Sequence, residues 1–157
     1  MSENNFFPAE TNSRQHILVV DDDPHIRRLN IEVLAGQGYA ATAAANGAAA
    51  WDELQLNHYD LLITENEMPM LSGLGLIRRL QDAQRDLPVI MLTGTLPHEQ
   101  LARHPELQIE AVLLKPCAFD EFLNAVKNVL HARDAGQTAI VMPRPERLPN
   151  AARLRVE

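Results

Sequence analysis

Acidic side chains follow two of the short apolar segments of this sequence. Asp21 and Asp22 come directly after the run HILVV, and Glu65 comes directly after the run LLIT. Carboxylates gathered at one place repel one another unless a cation neutralises them. A hard, oxygen-rich group of this kind suits Mg²⁺ better than zinc. If these segments end at one place in the fold, the sequence predicts a magnesium site there.

Donors of hydrogen bonds follow two further apolar segments. Thr93 and Gly94 end the run VIMLTG, and Lys115 follows the run AVLL. A lysine acts as a point charge on phosphoryl oxygens, a hydroxyl donates a hydrogen bond, and a glycine leaves a main-chain N–H unobstructed. Together with the acids, these residues predict a pocket for a phosphoryl group.

The elements that must position these residues are five apolar runs of strand length, which alternate with segments of helical period. The strand candidates are residues 16–20, 39–43, 60–64, 88–92 and 111–114. Strands buried on both faces lose the polar alternation of an exposed sheet, so these runs indicate a parallel sheet covered by helices on both sides. Right-handed crossovers then give a doubly wound α/β sandwich, whose ligand site lies at the carboxyl ends of the strands.

The helices have recognisable starts and apolar faces. Asp23, Asn46 and Ser72 are the expected N-caps. The last helix is predicted over 118–133, and the fourth, near 97–103, is short because Pro105 truncates it. Apolar side chains at helical spacing predict the inward faces of the first and last helices: Ile26, Leu29, Val33 and Leu34, then Phe119, Phe122, Leu123, Val126, Val129 and Leu130.

Composition limits the classes of function. The chain has 157 residues, is 46% hydrophobic and carries a formal net charge of -7, with basic residues scattered along it, so a nucleic-acid surface is not expected. Its one cysteine, Cys117, fits a reducing compartment, and no apolar run approaches the roughly 20 residues of a membrane span. We expect a cytoplasmic protein with a flexible leader (1–14), one domain (15–133) and a tail (134–157) that is linker-like or a docking arm.

Four segments stand in order at the strand ends: VVDDDP, DLLITENEMPMLSG, VIMLTG and LLKP. Together they resemble the receiver domain of two-component response regulators, over about residues 16–133. The resemblance implies a flavodoxin-like (βα)5 fold with a five-stranded parallel sheet in the order 2-1-3-4-5. It also implies Mg²⁺ held by Asp21 and Asp22 with the main-chain carbonyl of Glu67, and a phosphoryl group bound by Thr93 and Lys115.

The resemblance further implies a cis peptide bond between Lys115 and Pro116, and it matches Gly73 to the glycine that closes the loop after the third strand. It also shows a departure, because Glu65 stands where the family has the phospho-accepting aspartate. The extra methylene displaces the carboxylate by more than an ångström, and in-line phosphoryl transfer tolerates little misplacement of the attacking oxygen. Glu65 then either mimics the phosphorylated state or pairs with Lys115 and locks one conformation. Val112 is a second departure, since relatives often carry there an aromatic side chain that swings inward.

Three classes of function follow. The leading one is a phosphorelay interaction module without enzymatic activity of its own, which binds a histidine kinase or a downstream signalling protein, with a homodimer left open. The second is a Mg²⁺-dependent phosphatase or phosphotransferase on a similar fold, although such enzymes usually need Asp-x-Asp after the first strand and this chain has Asp21-Asp22-Asp23 followed by Pro24. The third is a metal-independent scaffold.

Overall fold

The computed structural model describes residues 14–135, in which five strands alternate with five helices. The elements are β1 (His16–Val20), α1 (Pro24–Gly36), β2 (Ala40–Ala44), α2 (Gly47–Leu56), β3 (Leu61–Thr64), α3 (Gly73–Asp82), β4 (Val89–Thr93), α4 (His98–Arg103), β5 (Ala111–Leu114) and α5 (Phe119–Asp134). All strand pairs are parallel, and the sheet has the order β2-β1-β3-β4-β5. The predicted fold class and strand order are confirmed.

The domain boundaries stay a prediction. The expected leader (1–14) and tail (134–157) fall almost entirely outside the described residues. Within residues 14–135, no helix has both the length and the apolar character that crossing a membrane requires.

Helices cover both faces of the sheet, and successive residues of a strand point to opposite faces. On one face, Leu18 and Leu62 pack in the cluster that also holds the apolar side chains of α2 and α3. On the other face, Ile17 and Ile63 pack with the apolar side chains of α1 and α5. The two clusters fix the central strands from both sides, so the residues that follow these strands have fixed positions.

All three predicted N-caps form. The Asp23 side chain accepts hydrogen bonds from the N–H groups of His25 (2.9 Å) and Ile26 (3.3 Å). The side chains of Asn46 and Ser72 accept from the third residue beyond each of them, at 2.8 Å and 3.0 Å. Each cap satisfies an N–H that the helix leaves unpaired, which stabilises a helix by about 1 kcal/mol.

For two side chains, the prediction that they face the core is wrong. Leu29 is 43% exposed, and the neighbouring Asn30 is buried in its place. The buried residues of α1 are thus Asn30 and the predicted Leu34, which lie one turn apart on the same face of the helix. Phe119 is 52% exposed, because it is the first residue of α5, beyond the point where that helix packs on the sheet. The short α4 is confirmed, and none of its residues is buried.

Candidate functional site

The predicted site residues lie at the carboxyl edge of the sheet, and main-chain hydrogen bonds hold them there. The N–H of Asp21 donates to the Ala44 carbonyl (3.2 Å), and the N–H of Glu65 donates to the Val20 carbonyl (2.9 Å). These bonds extend the strand ladders by one residue beyond β1 and β3. Lys115 is held in the same way beyond β5, because its N–H donates to the carbonyl of Thr93 (2.9 Å).

The centre of the site is an ion-paired group of one lysine and two carboxylates. The Nζ atom of Lys115 lies 2.5 Å from Oδ2 of Asp21 and 2.8 Å from Oε2 of Glu65. Asp21 is 2% exposed and Glu65 is 7% exposed. Burial by itself would lower the pKa of Lys115, but the hydrogen bonds to Asp21 and Glu65 outweigh burial, so its pKa lies above the ordinary value. Lys115 is therefore a stable cation between two buried anions.

The second oxygen of Glu65 is held by the main chain that follows it. Oε1 accepts hydrogen bonds from the N–H groups of Asn66 (2.7 Å) and Glu67 (3.4 Å). Burial raises the pKa of Glu65, but the hydrogen bond and charge of Lys115 and the hydrogen bond from the Asn66 N–H outweigh burial, so this pKa lies below its usual value. Glu65 is thus an ionised carboxylate with a donor on each oxygen.

The predicted phosphoryl-binding hydroxyl makes a different hydrogen bond. Thr93 is fully buried, and its Oγ1 donates to the carbonyl of Thr95 at 3.0 Å. Gly94 is exposed, and a Cβ built there would meet no atom within 4 Å, so crowding does not require a glycine at this position. The hydroxyl lies beside the ion-paired group, and its directed hydrogen bond goes to its own loop.

The four predicted metal ligands divide into two pairs. Asp21 and Glu65 are buried and bound to Lys115, whereas Asp22 and Glu67 are exposed. In the part of the chain that the structure describes, no group of three or more acidic, histidine or cysteine side chains is close enough to hold a metal ion. The Lys115 ammonium bridges the two buried carboxylates and leaves them with a net charge of -1, so a metal ion bound by both would have to displace the ammonium from between them.

Sequence reasoning missed two residues of the site. The guanidinium of Arg27 donates to the main-chain carbonyl of Asp21 at 2.6 Å. Asn66 is only 6% exposed, and its Oδ1 accepts the N–H of Leu74 at 3.1 Å. The available signal for Asn66 was a polar side chain directly after the segment LLITE, at the end of a buried strand.

Two features that the resemblance implied are present. The peptide bond between Lys115 and Pro116 is cis. A Cβ at Gly73 would lie 2.3 Å from the main-chain oxygen of Glu65 and 3.0 Å from Cα of Asn66. Only a glycine allows the start of α3 to pack this closely on the end of β3.

Known proteins are similar to this chain in sequence and in fold. A sequence profile of the response regulator receiver domain matches residues 17–127. The response regulator receiver protein CpdR of Brucella abortus is 31% identical over 121 residues, which cover 75% of this chain and 98% of CpdR. The sensor histidine kinase RcsC of Escherichia coli is 35% identical over 109 residues, which cover 69% of this chain but only 12% of RcsC.

A solved structure agrees with these matches. The receiver domain of the Francisella response regulator 1452 superimposes with a TM-score of 0.69 and 28% sequence identity, covering 77% of this chain and 99% of that domain. The profile matches most of the described residues, and the sheet order and strand-end acids are those that the sequence motifs predicted. This chain therefore belongs to the response regulator receiver domains, the modules of two-component phosphorelay signalling.

Proposed function

We propose that this receiver domain signals through protein contacts without accepting a phosphoryl group, because Glu65 stands at the acceptor position. The observation that supports the proposal is the engagement of both Glu65 oxygens. One oxygen is bound by Lys115 and the other by main-chain N–H groups. These are the kinds of donor that a phosphoryl group would need in this pocket. Because each oxygen of the Glu65 carboxylate already accepts from a fixed donor, these donors fix its direction and hold it away from the line of attack that an aspartate would take.

The geometry favours a locked pocket over a full mimic of the phosphorylated state. A mimic would draw in the Thr93 hydroxyl, whereas that hydroxyl donates to the carbonyl of Thr95. Val112 is buried and β-branched, so it has no long side chain that could swing inward with Thr93. We infer that Glu65 holds Lys115 in one place and leaves the Thr93 side of the pocket in its resting arrangement.

The same proposal covers activity, partners and location. Since both buried acids are engaged by Lys115, the domain has no enzymatic activity of its own under this proposal. Its partner would be a histidine kinase or a downstream signalling protein, as the names of relatives such as the sensor histidine kinase RcsC suggest. A homodimer, a cytoplasmic location and the lack of direct nucleic-acid or membrane binding belong to the proposal as well.

The experiment compares the native protein with Glu65→Asp and Glu65→Gln after incubation with Mg²⁺ and acetyl phosphate. We expect only Glu65→Asp to gain a phosphoryl group in the intact mass spectrum, because only this variant has an acceptor carboxylate of the right length. Phosphorylation of the native chain at Glu65 would contradict the proposal. If none of the three proteins is modified, the pocket is not a working receiver site even with the family residue restored.

Magnesium binding gives an independent measurement. Receiver domains generally bind Mg²⁺ at the acceptor site, but here Lys115 is paired with Asp21 and Glu65. Calorimetry should show tighter Mg²⁺ binding to Glu65→Asp than to the native chain, because the shorter carboxylate cannot keep the same contact with Lys115. Equal affinities would show that the length of Glu65 does not control the metal site.

A further inference from the structure

Asn66 links the ion-paired site to the start of α3. Its main-chain N–H donates to Oε1 of Glu65 at 2.7 Å. Its main-chain oxygen accepts the N–H of Gly73 at 2.9 Å, and its side-chain Oδ1 accepts the N–H of Leu74 at 3.1 Å. One residue therefore binds the Glu65 carboxylate on one side and two N–H groups of the helix on the other.

The hydrogen bonds of Asn66 are buried, so water cannot take the place of a lost partner. Asn66 is 6% exposed and Leu74 is 8% exposed. A buried N–H that loses its acceptor is left with its full desolvation cost. The hydrogen bond to the Leu74 N–H therefore holds the Asn66 side-chain amide in its position. The close approach of Gly73 to the main chain of Glu65 and Asn66 leaves little space for the loop to move against the helix.

We propose that Asn66 is a positioning residue that makes the Glu65 carboxylate and the first turn of α3 move as one unit. The inference deepens the proposed function, because it names the element to which the Glu65 pocket is coupled. Ser72, the ordinary N-cap, contributes a separate bond to the N–H of Gly75 (3.0 Å) and makes no described contact with Glu65. The Asn66 side chain is thus the cap that carries the connection.

The coupling has a structural continuation at the surface. Arg78 of α3 lies with its Nη2 atom 2.8 Å from Nδ1 of His104, in the segment between α4 and β5. Gln81 of α3 donates to the carbonyl of Glu106 in the same segment at 2.9 Å. A shift of α3 would therefore be passed to the segment that leads into β5.

The experiment measures amide hydrogen exchange by NMR in the full chain, with three variants. Asn66→Leu removes the side-chain acceptor, Asn66→Asp keeps it, and Ser72→Ala removes the separate cap. In Asn66→Leu we expect exchange to rise about tenfold at the amides of both residue 66 and Leu74, because the lost buried hydrogen bond opens the joint locally. Ser72→Ala should raise exchange at Gly75 alone, and Asn66→Asp should restore protection at residues 66 and 74.

The contrary result would be unchanged exchange at residue 66 in Asn66→Leu while the Leu74 amide is exposed, because Asn66 would then be a helix cap and nothing more. A second measurement needs no variant. Hydrogen exchange of the native chain at low denaturant concentrations gives the free energy of the local opening that exposes each amide. This free energy should be the same for the amides of Asn66 and Leu74, and different values would overturn the proposal. Neither measurement uses phosphorylation, so failure here leaves the proposed function standing, and failure of the phosphorylation test leaves this coupling standing.

Discussion

Replacing Lys115 by methionine should destabilise the domain strongly at neutral pH. The ammonium is the only described ion-pair partner of Asp21 and Glu65, which are both buried. Methionine keeps most of the apolar stem of the lysine and removes the charge. The variant therefore leaves two buried carboxylates without their cation, while packing changes little.

The magnitude follows from burial. Removing one partner of a buried ion pair costs about 3–5 kcal/mol. The Lys115 side chain is 18% exposed, so water screens part of the interaction. We therefore expect a loss of about 2–3 kcal/mol in the free energy of unfolding at pH 7. Methionine at Lys127, an exposed lysine of α5, is the matched control, and it should change stability by less than about 0.5 kcal/mol.

The loss should shrink in acid. In the native chain the pKa of Glu65 lies below 4.5, so its contribution to stability is complete above that pH and is lost as pH falls through the lowered folded-state pKa. In Lys115→Met the hydrogen bond and the charge of Lys115 no longer lower the pKa of Glu65, so this pKa is higher than in the native chain and protonation relieves the variant at a higher pH. The two stability curves should therefore converge between neutral pH and about pH 4.

Urea denaturation followed by circular dichroism, at several pH values and with EDTA present, measures this difference directly. A loss at pH 7 no larger than that of Lys127→Met would refute the ion-paired arrangement. A large loss that stays constant down to pH 4 would place the effect in packing and not in charge.

Two further predictions concern backbone crowding and thiol chemistry. Gly73→Ala should cost at least about 2 kcal/mol in urea denaturation, because its Cβ would lie 2.3 Å from the main-chain oxygen of Glu65. Gly36→Ala, where a Cβ meets nothing within 4 Å at the end of α1, should be neutral or slightly stabilising; equal losses would contradict the crowding argument. Burial, followed by nearby acids, raises the pKa of Cys117 to about 12, so iodoacetamide should alkylate it at pH 8 at least about a hundredfold more slowly than it alkylates free cysteine. A rate equal to that of free cysteine would show that burial and the nearby acids do not suppress ionisation of the Cys117 thiol.

The fold could be predicted from the sequence because the apolar runs have a direct physical cause in the burial of the strands. Short continuous apolar runs are typical of strands covered on both faces, and the predicted strands agree with the observed ones to within one residue at each end. The inward face of α1 was misjudged because hydrophobicity alone favoured Leu29 over Asn30. The rotation of a helix on a sheet depends on the whole packing interface, which a single helix does not reveal.

The site was predictable as a set of residues and less so as a set of contacts. Strand topology brings Asp21, Glu65 and Lys115 to one edge, and the sequence specified that convergence. Pairing of Glu65 with Lys115 was one of two alternatives, and the geometry shows it together with Asp21. The role of Asn66 could not be foreseen, because it depends on how closely the loop after β3 packs on α3. Such a distance is set by the tertiary fold and not by local spacing.

The length and the charge of Glu65 make separate contributions, and the two substitutions at this position distinguish them. Glu65→Asp keeps the charge that neutralises Lys115 and changes only the reach of the carboxylate, whereas Glu65→Gln keeps the reach and removes the charge. If length alone prevents phosphorylation, the aspartate variant should be modified. The glutamine variant should stay unmodified and should lose part of the interaction with Lys115, which is a charge-assisted hydrogen bond at 2.8 Å. Under the proposed function, one methylene at position 65 is what separates this pocket, with its lysine and buried acids, from one that accepts a phosphoryl group.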